Sequence, residues 1–173
     1  MFNVNGKQMS ETTVGTEKLW EKIKDIKFGM LTVIGEDGIL ASRPLTTQQT
    51  EFDGVLWFLV SKHPSWVPFL QRDDRVNMSY AEPNDSLFVS VSGTARVVDD
   101  RAMLAKLWTP MAKAWFPLGL NDPELALLKL DVVRGEYWDS RSTKMVQLYI
   151  LAKAVLSGTQ PTDLGEHQKV EAR

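Results

Sequence analysis

The sequence predicts a mainly β domain with peripheral helices, built as an antiparallel barrel, and three observations lead there. Strand-like segments arrive as hairpins, helical segments fall between them without regular alternation, and one long segment alternates apolar with small polar residues around a central glycine. Regular strand and helix alternation would have argued for a doubly wound parallel sheet. Neither a dinucleotide fingerprint nor a Walker loop occurs, which removes the usual parallel-sheet nucleotide folds.

In chain order, Leu19, Trp20, Ile23 and Ile26 recur at helical spacing between Thr16 and Lys27, which predicts an amphipathic opening helix with Thr16 as its N-cap. FGMLTVI, the turn GEDG and ILASRPLTTQ then read as a hairpin over residues 28–48. VLWFLV is an apolar run too short for a comfortable helix and reads as a buried strand. In SKHPSWVPFLQRD the prolines are tolerated only in the first turn, so a helix is expected to begin near Pro64 or Ser65.

RVNMSYA is a short strand closed by the turn EPND. Leu87, Val89, Val91, Gly93, Ala95 and Val97 alternate with Phe88, Ser90, Ser92, Thr94, Arg96 and Val98, the mark of a long half-buried strand. Gly93 in its middle predicts a bend or a close backbone approach. Residues 101–116 read as a helix interrupted by Pro110, and LALLKLDVVRGEYWD as the last strand. Met145, Leu148, Tyr149, Ala152, Val155 and Leu156 predict a final helix stopping at Gly158. Residues 1–158 thus form one domain, and 159–173 are expected to be a loose polar tail.

The totals restrict function. A chain of 173 residues, 43% hydrophobic and 24% charged, is long enough to bury a core without staples. Twenty Lys and Arg against 22 Asp and Glu leave a formal charge of -2, which gives no overall field for nucleic acid or anionic lipid. Absence of cysteine excludes disulfides, thiolate nucleophiles and cysteine-ligated clusters. His63 and His167 are far apart and have no helical metal-ligand spacing, so no metal is expected. No basic start with an apolar run and no apolar stretch of membrane-spanning length is found, and the expected location is cytoplasmic.

Two constellations invite a ligand. On an extended ASRPLTTQ, Arg43, Leu45 and Thr47 share one face while Ser42, Pro44 and Thr46 share the other. Pro44 confines this strand to an edge or a seam, where unpaired backbone groups can meet a ligand; a plain exposed edge with a solvated Arg43 is the alternative. The joint after WFLV brings Lys62, Ser65 and a helix start together, suited to an anion, although Ser65 as a simple cap accounts for it equally. Trp115 and Phe116 lie between prolines and read as a dimer contact or a wall against a planar ring. A hydrolase is disfavoured, because no serine sits on a nucleophile elbow beside a histidine.

Five stretches in this order carry a resemblance: SRPL, LWFLVSKHPSWV, DDRVNMSYAEP, FVSVSGTARVV, and LWTPMAKAWFPLGLNDPELALLKL followed by EYWD. Together, over roughly residues 16–140, the chain resembles the bacterial general stress proteins of the pyridoxamine 5'-phosphate oxidase-like superfamily. The resemblance implies a six-stranded antiparallel split β-barrel, an FMN site at the interface of a homodimer, and redox chemistry. By position, Ser42, Arg43, Leu45, Thr46 and Thr47 would line the flavin and its phosphate, and Phe58, Leu59 and Val60 would run beside the ring system. Lys62, Ser65 and Trp66 would sit at the phosphate end, and Trp115 and Phe116 of a second copy would cover the ring.

Two departures stand out. The family commonly places Ser, Pro and a basic residue before this helix, whereas this chain has Pro64, Ser65 and Trp66, with Lys62 as the substitute cation. The C-terminal Arg, Leu and His stretch of true pyridoxamine phosphate oxidases has no counterpart in EYWDSRSTKMVQLYILAKAVL, which argues against vitamin B6 oxidation. The resemblance therefore implies an FMN-dependent oxidoreductase, with FAD as a second cofactor option, acting on an unidentified small molecule; the alternative is a flavin carrier or redox sensor without turnover.

Overall fold

The computed structural model describes residues 15–49, 51–139 and 166–171. Among these, the elements are helix α1 over residues 15–23, strands β1 (Phe28–Ile34), β2 (Leu40–Thr46) and β3 (Val55–Ser61), helix α2 (Val67–Arg72), β4 (Arg75–Glu82), β5 (Leu87–Val98), helix α3 (Arg101–Leu107), β6 (Leu125–Asp139) and β7 (Glu166–Glu171). The strands hydrogen-bond in the order β2-β1-β4-β5-β6-β3, with β7 added on β6, and every pairing is antiparallel.

The sheet curls until its ends approach. β2 and β3 lie at opposite ends of the six-strand path, yet Thr47 and Phe58 form an antiparallel bridge between them. That bridge closes a barrel at one point, and among the described residues no ladder continues it, which leaves a seam. The curl is helped by a bulge: the β5–β6 register shifts between Ser92 and Gly93. A Cβ on Gly93 would collide with the carbonyl oxygen of Asp131, so the close approach expected from the sequence is real.

Two apolar clusters follow from this geometry. The barrel interior holds Leu31, Leu56, Phe58, Met78, Val91 and Tyr137 among others, with α1 contributing Leu19 and Ile23. Gly135 admits α1, since a Cβ there would stand 2.7 Å from Leu19. Outside the barrel, Leu104, Leu107 and Phe116 cover Leu125 and Leu127. The first residues of β6 are thus buried on both faces, which is why LALL is a continuous apolar run rather than an alternating one.

Several boundaries differ from the sequence reading. Thr16 lies inside α1, because residue 15 is already helical. α2 begins at Val67, later than Pro64 or Ser65, with Trp66 at the N-cap position and Pro68 in the first turn. The segment after α3 is a 3-10 turn over Pro110–Ala114, because Pro110 cannot continue the helix. Residues 166–171, expected within a loose tail, pair with β6 from Arg134 to Asp139. The predicted final helix over Met145–Leu156 lies outside the described residues. No helix of the described residues is long and apolar enough to cross a membrane.

Candidate functional site

The seam is where sequence and fold converge. Among the described residues β2 pairs only with β1 along Leu40–Thr46, and Pro44, opposite Met30, has no N–H to offer a further strand. Arg43 lies opposite the buried Leu31, so Arg43, Leu45 and Thr47 face the barrel side of this edge, as their alternation requires.

At one end the seam is held shut. The Trp57 N–H donates to Gln49 Oε1 at 2.7 Å, and Gln49 Nε2 donates to the Val55 carbonyl at 2.6 Å, so one side chain replaces a missing strand along β3. The Thr47 and Tyr80 hydroxyls share a hydrogen bond of 2.9 Å next to the Thr47 to Phe58 bridge. Burial pushes the Tyr80 phenol up to about 12, only partly offset by Thr47, so it stays neutral at physiological pH. Gln49 carries no sequence signal as a clamp, since its role depends on a long-range meeting of two edges.

Farther along β2 from the bridge, Arg43 meets Trp66. The Arg43 guanidinium carbon lies 4.6 Å from the centroid of the Trp66 ring, a cation–π contact joining β2 to the start of α2. Arg43 Nε is sealed from solvent and has no hydrogen-bond partner. Desolvation pulls this guanidinium below its ordinary value, and it remains a cation. A buried charge-bearing donor without an acceptor is costly, roughly 1–3 kcal/mol, and is the kind of group that marks a ligand position.

The remaining predicted site residues separate. Ser42 and Thr46 lie on the opposite face from Arg43, and the Ser42 hydroxyl bonds Thr32 at 2.8 Å. Phe58 and Val60 are buried in the barrel interior, and half-buried Leu59 packs against the second cluster. Lys62 reaches Asp99 at 3.1 Å and is already paired. Ser65 is exposed just before Trp66. Phe116 is 6% exposed and belongs to the second cluster, whereas Trp115 is 70% exposed. Sequence pattern cannot separate these neighbours, because Pro117 hides which side of the turn faces α3.

The outer face of the sheet was not anticipated. Phe28, Met30, Phe88 and Trp138 are all exposed and line, with Ser79 and Ser90, a shallow groove of about 350 Å³. Among the described residues no group of His, Asp and Glu is arranged to hold a metal ion.

Closed at one bridge and open at an arginine-bearing edge, this barrel defines the split-barrel class. Residues 15–162 match the family described as pyridoxamine 5'-phosphate oxidase like, and the chain belongs to that family. A general stress FMN/FAD binding protein from Xanthomonas citri is 35% identical, with a TM-score of 0.66 over 76% of this chain and 92% of that one. A protein of Jannaschia sp. CCS1, provisionally described as general stress protein 26, is 28% identical with a TM-score of 0.70 over 92% of this chain and 99% of its own. The Neurospora crassa protein bli-3 is 28% identical over 159 residues, 82% of this chain and 76% of that protein.

Proposed function

We propose that the chain binds a flavin mononucleotide with the phosphate at the Arg43 end of the seam and acts as a flavin-dependent oxidoreductase. The observation that carries this reading is the buried, partnerless Nε of Arg43 on an edge strand. A terminal phosphate supplies the acceptor oxygens that this donor lacks, and a charge-assisted bond of this kind is worth roughly 1.5–3 kcal/mol. The residues present fit such a group: Arg43 would hold the phosphate, with the unpaired β2 edge around Leu45 beside it. FAD shares the phosphate chemistry and is the second cofactor this corner accommodates.

Bound flavin supplies hydride or electron transfer, and the protein supplies position and electrostatics. Tyr80 keeps its proton and braces Thr47. The apolar outer face fits a second copy of the chain, and we read the working form as a cytoplasmic homodimer that needs neither nucleic acid nor membrane.

The test is direct. Purified protein mixed with FMN and desalted should retain a yellow chromophore at micromolar concentration, elute at the dimer mass by light scattering, and oxidise NADH or NADPH over many turnovers. Retained flavin that never cycles would favour a carrier or sensor; a colourless protein would end the flavin reading.

A further inference from the structure

Resting on the flavin reading above, we infer that Trp66 is a positioning residue that aims Arg43, and that the resulting fixed fork gives the site its preference for a terminal oxyanion. An exposed arginine samples many rotamers. Arg43 does not have that freedom, because its guanidinium carbon lies 4.6 Å from the Trp66 ring centroid. The indole is itself held: Trp66 is 7% exposed and belongs to the barrel core with Leu70 and Val76. The indole shields the side of the guanidinium it lies against, and the N–H donors lie in the guanidinium's own plane. A ligand meets it on the sides the indole leaves free.

The edge carries a specific demand. Nε is sealed and partnerless, and among the described residues no carboxylate pairs with this side chain. Two oxygens of one phosphate, each accepting from Nε and a neighbouring Nη, satisfy that geometry as parallel hydrogen bonds. A lysine ammonium is a point charge on a flexible stem and reproduces neither the fork nor the stack. Lys62, the other cation expected at this end, is committed to Asp99 at 3.1 Å. Trp66 thus replaces a missing second cation by holding the first in place, without touching the ligand.

The experiment is a fluorescence titration of the intact chain with FMN and with riboflavin, which lacks the phosphate, for the wild type, Trp66→Phe, Trp66→Leu and Arg43→Lys. Trp66→Phe keeps an aromatic face and should stay within about threefold of wild type for FMN. Trp66→Leu should lose roughly three- to tenfold in FMN affinity with riboflavin unchanged, and Arg43→Lys about tenfold despite keeping its charge. If Trp66→Leu fails to fold by circular dichroism, Trp66→Met takes its place, with the same expected loss for FMN and unchanged riboflavin. Wild-type FMN affinity in Arg43→Lys, equal losses in Trp66→Phe and Trp66→Leu, or parallel loss of riboflavin and FMN would overturn the inference. A wild type that binds neither flavin instead removes the flavin reading, and this inference with it.

Discussion

At the scale of single residues, neighbours on one strand have opposite fates, and alternation decides them. Arg43 and Thr47 turn toward the barrel side while Ser42 turns outward to Thr32. Arg43 could be singled out from sequence because a cation beside Pro44 on an extended segment is unusual. Residue pattern alone does not bring Trp66 to it, since 23 positions separate them in the chain; the family resemblance put both at one end, and the fold sets them in contact. Tyr80 shows what burial does to a titratable group. Its folded pKa is pushed up to about 12, whereas an unfolded tyrosine ionises near pH 10. A raised folded value means that the stabilisation is complete below about pH 10 and is lost as pH rises from about 10 through about 12. Tyr80→Phe should cost about 1 kcal/mol at pH 7 through loss of the Thr47 hydrogen bond, and its stability should fall less steeply than wild type between pH 10 and 11. Urea denaturation at both pH values checks this, and identical slopes would speak against it.

Elements carry the next level of cause. β2 is an edge because proline removes a donor, and β3 is an edge because the six-strand path ends there. Two edges meeting would normally continue the sheet. Here Gln49 takes the place of a strand for Val55 and Trp57, so the barrel closes without β2 running on. Gln49→Leu should leave those backbone groups unpaired and cost about 1–3 kcal/mol in urea denaturation; a change under about 0.5 kcal/mol would show that water replaces the amide. The strands were readable because apolar alternation and turn residues mark them, including all fifteen residues of β6. α2 was readable as a helix but not in its start, because no capping side chain marks it: Trp66 stands at the N-cap without a side-chain hydrogen bond to the first turn. β7 was unreadable, since HQKV alternates too briefly to signal a strand and forms one only by adding to the exposed edge of β6.

For the whole molecule, the central relation is between a barrel that closes at one bridge and a charge left waiting beside the opening. Mainly antiparallel architecture was legible in the sequence because hairpins are local. Which residues pack together was legible only in part: Phe58, Val60 and Phe116 belong to two separate cores, a division that depends on long-range strand pairing. The apolar face of Phe28, Met30, Phe88 and Trp138 has no local sequence signal, because its members come from three strands that only the fold sets side by side. The measurement closest to the central claim is the dissociation constant for FMN of wild type and Arg43→Ala, read by quenching of flavin fluorescence under identical salt. The account predicts tight binding by the wild type and a loss of roughly tenfold or more in the variant; equal affinity in the two proteins would place the phosphate elsewhere and contradict it.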